Sequence, residues 1–258
     1  MENKYLQRQT NEVREYPGKK LPVVFLIDVS TSMNACNGGT PTGKQVFKDG
    51  QYWNEVIGGK TIMDNLKERI LDFHKAMQED VKTATTCQTA YVTFGAKTEI
   101  IEDFGIVKNK KAPIDEINAN EDNTCIVDGI EKSLEILDDQ KKLLKEEGVG
   151  CFQPWLIILT DGLAHDSEQR IKSIKKELDL RQRNKKLVVY TIALNEDPEL
   201  YKQIRGYSIY KPIPYDVNNQ KLKDFFKYLK VSISVISRSK IEQSVPSYTE
   251  LDDVDTLI

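Results

Sequence analysis

The chain is short of the residues that most metal, redox and hydrolytic sites use. It has only two histidines in 258 residues, His74 and His165, which limits imidazole metal sites and His-based triads. Its four cysteines, Cys36, Cys87, Cys125 and Cys151, stand far apart with no C-x-x-C pair, which disfavours a zinc ribbon. No G-x-S-x-G occurs, so a serine nucleophile elbow is excluded. No apolar run approaches the roughly 20 residues of a membrane span. The first twenty residues are polar and lack the hydrophobic stretch of a secretory signal. Lys and Arg number 37 against 40 Asp and Glu, a net charge of -3. That leaves no basic footprint for nucleic acid and no attraction to anionic lipid. These absences set the expectation of a cytoplasmic protein with reduced thiols that engages neither nucleic acid nor membrane.

What is present is a repeated strand signal. Leu21–Ile27 is an unbroken apolar run ending in Asp28, as expected of a parallel strand buried on both faces. The pattern returns at Trp155–Leu159, ending in Thr160-Asp161-Gly162, and at Leu187–Leu194. Gln88–Phe94 reads as a further strand, and Gly95-Ala96 turns it into an antiparallel edge strand over Lys97–Phe104. Helical spacing fills the gaps. Ile62, Leu66, Ile70, Phe73, Met77 and Val81 share one face of a helix of about 20 residues. Further helices are expected around Ile126–Leu137, Ile171–Leu178 and Phe225–Ile236.

Alternating strands and helices predict an α/β fold: a three-layer, doubly wound, mostly parallel six-stranded sheet with one antiparallel edge strand and helices on both faces. The expected boundaries are a polar lead-in at 1–20, one domain at 21–236 with a Gly-rich insertion at 34–60, and an acidic tail at 237–258.

In such sheets ligands bind beyond the carboxyl ends of the strands. Asp28-Val29-Ser30-Thr31-Ser32, Asp122-Asn123-Thr124 and Thr160-Asp161-Gly162 all fall there or at a helix start. Each alone reads as an ordinary helix cap or turn. Together they offer carboxylates and hydroxyls without thiolate or imidazole, a set that suits Mg²⁺ or Mn²⁺.

DVSTS at 28–32, Thr124 before a helix carrying Ile126, Gly129 and Ile130, and TDG at 160–162 resemble the von Willebrand factor A (vWA) domain with its metal-ion-dependent adhesion site. The resemblance covers about 21–236. It implies Ser30, Ser32 and Thr124 as hydroxyl ligands, with Asp28 and Asp161 holding the metal directly or through water. PVVFLIDVSTSM and FFKYLKVSISVISRSK further resemble bacterial cytoplasmic members of the TerY type. Those are linked to tellurite resistance and stress response, and are often encoded beside a protein kinase and a PP2C-type phosphatase. Related domains occur in phage defence.

A cation held mainly by neutral hydroxyls keeps much of its charge and favours an anionic further ligand. An Asp or Glu carboxylate of another protein is the expected partner group. The insertion begins beside this loop, so Phe47, Tyr52 and Trp53 are expected on the binding rim, with His165 nearby. The plainer reading is that these aromatics pack the insertion onto its own domain and that His165 is a solvated loop residue. His74, beside Phe73, is expected at a helix surface or boundary.

Two enzyme readings compete. Gly38–Lys44 fits the start of a phosphate-binding loop, but Gln45 replaces the hydroxyl residue and no strand leads in. A haloacid-dehalogenase-like Mg²⁺-dependent phosphohydrolase also has an Asp after its first strand, but it needs a second acid two residues on, where this chain has Ser30.

Overall fold

The computed structural model describes residues 2–48, 51–214 and 220–239. A five-stranded sheet runs in the order β7-β6-β1-β8-β9. Its strands are β1 (Leu21–Asp28), β6 (Cys87–Phe94), β7 (Thr98–Ile106), β8 (Trp155–Thr160) and β9 (Val188–Ala193). The pairs β1–β6, β1–β8 and β8–β9 are parallel, and β7 is the antiparallel edge.

Among the described residues the expected sixth strand is absent, and the covalent chemistry explains why. Ile213 makes a single parallel bridge to Ile192. It lies between Pro212 and Pro214, neither of which has an N–H to extend a ladder.

Both faces of the sheet are covered. Alternation along β1 sends Val23, Phe25 and Ile27 into one core and Val24 and Leu26 into the other. The first core takes residues of α2 (Ile62–Gln78) and α7 (Gln220–Arg238), with Phe25 stacked on Tyr91 and Phe226. The second takes residues of α4 (Ile126–Glu146), α5 (Glu168–Arg183) and α6 (Pro198–Ile204). Gly129 lets α4 lie close on the sheet, because a Cβ there would come within 2.8 Å of Leu26 Cδ1 and 3.0 Å of Phe94 Cβ.

The long helix expected from Ile62 is two helices. Asp80 caps a new one, α3 (Val81–Thr86), by accepting from Lys82 N and Thr83 N, which leaves Val81 63% exposed. The polar lead-in forms α1 (Glu2–Glu15), and Glu12 Oε2 accepts from Ile106 N on the edge strand at 2.9 Å. The insertion is a hairpin of β3 (Thr40–Lys48) and β4 (Gln51–Ile57). At its root β2 (Cys36–Asn37) pairs with β5 (Lys60–Thr61). Gly38–Lys44 therefore enters a strand and no helix follows, so it lacks the context of a phosphate-binding loop. The acidic stretch Glu250–Asp255 lies outside the described residues.

His74 is not at a surface. It is 2% exposed and hydrogen-bonds the Tyr91 hydroxyl. Burial, reinforced by the Lys110 charge, lowers its pKa from 6.5 to about 4. A depressed histidine contributes stability above its ordinary pKa, and that contribution is lost as pH falls toward the folded value. The stability advantage of wild type over His74→Gln is expected to shrink by on the order of 3 kcal/mol between about pH 7 and pH 4, measured by urea unfolding. An advantage that stays constant with pH would show that the imidazole is not held neutral.

Candidate functional site

The site lies where the sheet order changes direction around β1. The chain passes from β1 to β6 on one side and later to β8 on the other, which is the position where open α/β sheets bind ligands. Asp28 ends β1 and Asp161 follows β8, its parallel neighbour.

Asp28 is fully buried. Its Oδ1 accepts from Ser30 N at 2.9 Å and its Oδ2 accepts from Thr160 Oγ1 at 2.5 Å. Ser32 Oγ donates to Asp161 Oδ1 at 2.8 Å and lies 3.0 Å from Ser30 Oγ. Thr124 comes from a separate loop. A Cβ built on Gly162 would lie 3.0 Å from Thr124 Oγ1 and 3.8 Å from Asp28 Oδ2. Those two oxygens are therefore no farther apart than these lengths laid end to end. The structure brings Asp28, Ser30, Ser32, Thr124 and Asp161 together.

Backbone contacts hold the Thr124 loop in place. Thr31 N donates to Glu121 O, and Glu121 N donates to Val29 O. Gly95 permits this approach, since a Cβ there would fall 2.3 Å from Glu121 Cβ. Asn123 adopts φ +60°, a conformation its short polar side chain tolerates.

His165 is more than a solvated loop residue. Although exposed, its Nδ1 accepts from Thr124 N at 2.9 Å, and its own N–H donates to Thr124 O at 3.0 Å. Asp166 Oδ2 accepts from Val127 N at 3.2 Å, tying the same loop to the start of α4. Thr160, Asp166 and Asn195, whose side-chain amide donates to Asp161 O, support the site beyond the five expected residues. Thr160 stands inside the T-D-G motif, and its hydroxyl could have been found there. The other two become visible only once the loops are in space.

The rim is divided. Phe47 and Tyr52 face each other across the hairpin with ring centroids 5.0 Å apart, and they are 62% and 71% exposed. Trp53 is half-buried. The aromatic pair is not packed away against the domain.

No lysine or arginine pairs with Asp28 or Asp161 among the described residues. Burial raises the Asp28 pKa, opposed by the Ser30 and Thr160 hydrogen bonds. Burial, then the Asp28 charge, pushes Asp161 up to about 7 against the Ser32 hydrogen bond. Among the described residues no three His, Cys, Asp or Glu side chains gather as a metal cluster. The donors here are two carboxylates and three hydroxyls, an all-oxygen set that fits a hard divalent cation. The bare backbone at Gly162 leaves room between Thr124 and Asp28.

No family model and no curated protein matches this sequence. Solved structures do match. The vWF domain of the type V pili tip protein Mfa5 from Porphyromonas gingivalis superposes with TM-score 0.57 at 10% identity, covering 87% of this chain and 98% of that one. The conserved hypothetical protein BatB from Bacteroides thetaiotaomicron gives TM-score 0.53 at 15% identity over 85% and 100%. The PilB minor pilin from Streptococcus sanguinis gives 0.53 at 16%, covering 85% of this chain, which spans 62% of the pilin's length. At these identities the likeness concerns the fold: the chain has a vWA-like α/β fold with a mostly parallel sheet.

A raised carboxylate stabilises the folded state at low pH and loses that contribution as pH rises through the folded pKa. In EDTA, Asp161→Asn is expected to gain stability relative to wild type by on the order of 4 kcal/mol between about pH 4 and pH 8, read by urea unfolding at each pH. A gap that does not move with pH would show that the carboxylates are not crowded into a dry site.

Proposed function

We propose that this chain is a non-enzymatic, Mg²⁺-dependent protein-interaction module, with Mn²⁺ as the substitute metal. The observation that carries the reading is the pair of buried carboxylates that no lysine or arginine among the described residues pairs with, gathered with three hydroxyls beyond the strand ends. Two like charges in a dry site are costly, and a divalent cation removes that cost. Asp28, Ser30, Ser32, Thr124 and Asp161 would hold it. The metal, when bound, supplies a positive centre that favours a carboxylate from another protein.

The chain's own residues do the rest. Thr160 and Ser30 N–H fix the Asp28 carboxylate. His165 and Asp166 hold the Thr124 loop. Phe47, Tyr52, Trp53 and His165 form the rim against which the partner's surface lies, because one metal contact is small beside the roughly 800 Å² per partner of a stable interface.

The TerY-type resemblance supports a place in bacterial stress response, tellurite resistance or phage defence, with a protein kinase or PP2C-type phosphatase of the same system as partner. Four free thiols support the cytoplasm as the compartment. No helix of the described residues is long and apolar enough to cross a membrane.

The phosphohydrolase reading lacks its acid. Ser30 occupies the position where that chemistry needs a carboxyl, and its Oγ lies 3.0 Å from Ser32 Oγ.

Mg²⁺ is expected to raise the melting temperature of wild type. The gain is expected to disappear in Asp28→Ala and in Ser32→Ala, the second of which leaves every hydrogen bond of Asp28 in place. Affinity capture read by mass spectrometry should recover a partner with Mg²⁺ and lose it with EDTA. Capture that is indifferent to EDTA and to both substitutions overturns the metal bridge. Turnover of p-nitrophenyl phosphate that requires Mg²⁺ and Asp28 would favour the enzyme.

A further inference from the structure

The protein caps part of each edge of its main sheet. Glu12 of α1 satisfies Ile106 N on β7, and Ile213 bridges β9 at the opposite side. The hairpin is treated differently. β3 pairs with one edge of β4, and no other strand among the described residues pairs with the second.

The two hairpin strands are also unlike in composition. β3, TPTGKQVFK, carries Pro41, Gly43, Lys44 and Lys48, residues that blunt an exposed edge. β4, QYWNEVI, has no proline, glycine or lysine. Its single acid, Glu55, accepts from Thr42 Oγ1 of β3 at 2.7 Å. An unblunted strand rich in aromatic and β-branched residues is a template for another strand.

The main-chain groups on the open side can be assigned. The Glu55 carbonyl accepts from Thr42 Oγ1 at 3.2 Å, so it points at β3. By the alternation of an antiparallel ladder, the N–H and C=O of Tyr52, Asn54 and Val56 point away from β3.

We propose that β4 pairs antiparallel with β4 of a second copy, about a two-fold axis at Asn54, joining two hairpins into one four-stranded sheet. The strand is complementary to itself. Asn54 is the middle of its seven residues, so this register pairs every one of them. Tyr52 then lies opposite Val56 of the other copy, a ring against a β-branched chain. Asn54 meets its own uncharged equivalent, and Glu55 lies opposite Trp53, so no like charges face each other. The pairing extends the surface carrying Phe47 and Tyr52 across both copies. A lone two-stranded hairpin is marginal in water, and four strands are not. An isologous contact of this kind closes after two copies and does not propagate.

The test uses the full chain in sedimentation equilibrium at about 1–100 µM. Wild type is expected at twice 29.5 kDa, with and without EDTA, since the contact does not involve the metal site. Asn54→Lys and Asn54→Glu place like charges on the axis and should each weaken association by about tenfold or more, with far-UV circular dichroism unchanged. Mixing the two variants in equal amounts sets lysine against glutamate and should restore the dimer. A wild type that stays at 29.5 kDa, a dimer indifferent to both substitutions, or a mixture that fails to reassociate overturns the proposal. None of these outcomes bears on Mg²⁺ binding.

Discussion

Two carboxylates crowd the end of two neighbouring parallel strands. Asp28 closes β1, Asp161 follows β8, and those strands pair in register from Val23–Trp155 to Ile27–Leu159. Parallel pairing sends both strand ends to the same side of the sheet, so the two acids are brought together by topology. Much of the nearby structure serves to hold them. Ser30 N–H, Thr160 and Ser32 donate to their oxygens, while the Thr124 loop is laced to β1 and to the His165–Asp166 segment. Hydrogen bonding satisfies the oxygens without cancelling their charge, which is why burial still raises both pKa values.

The sheet gives the site its rigidity. β1, β6, β8 and β9 are buried along their whole length, with aromatic stacking on one face and mainly aliphatic packing on the other. A loop anchored to such strands cannot drift without disturbing a close-packed interior. The β3–β4 hairpin is built on the opposite plan. It joins the body at the two-residue β2–β5 pair, and Val46, Phe47, Tyr52 and Ile57 are exposed while Trp53 is half-buried. Surface of that kind is characteristic of contacts with other molecules.

Several features were legible in the residues alone. Apolar runs of strand length located β1, β8 and β9 because strands covered on both faces must be continuously hydrophobic. The helices α4, α5 and α7 followed from apolar spacing near 3.6. The order of Asp28, Ser30, Ser32, Thr124 and Asp161, after strands or at a helix start, was legible, but their meeting in space was not. The number of strands was misjudged because Pro212 and Pro214 reduce the last crossing to one bridge. The split between α2 and α3 was missed because Val81 keeps helical spacing while Asp80 starts a new helix. The Gly-rich insertion carries no long apolar run, yet its residues pair as a hairpin.

Local chemistry thus determined which segments are strands or helices, and which oxygens could serve as ligands. Those properties depend on spacing and residue type, which the order of amino acids carries directly. The tertiary structure alone decided that Thr124 reaches the Asp28 pocket, that His165 turns inward to its backbone, and that His74 is buried against Tyr91. Each of these joins residues at least 17 apart in the chain, through strand order and loop closure, and no local pattern encodes such contacts.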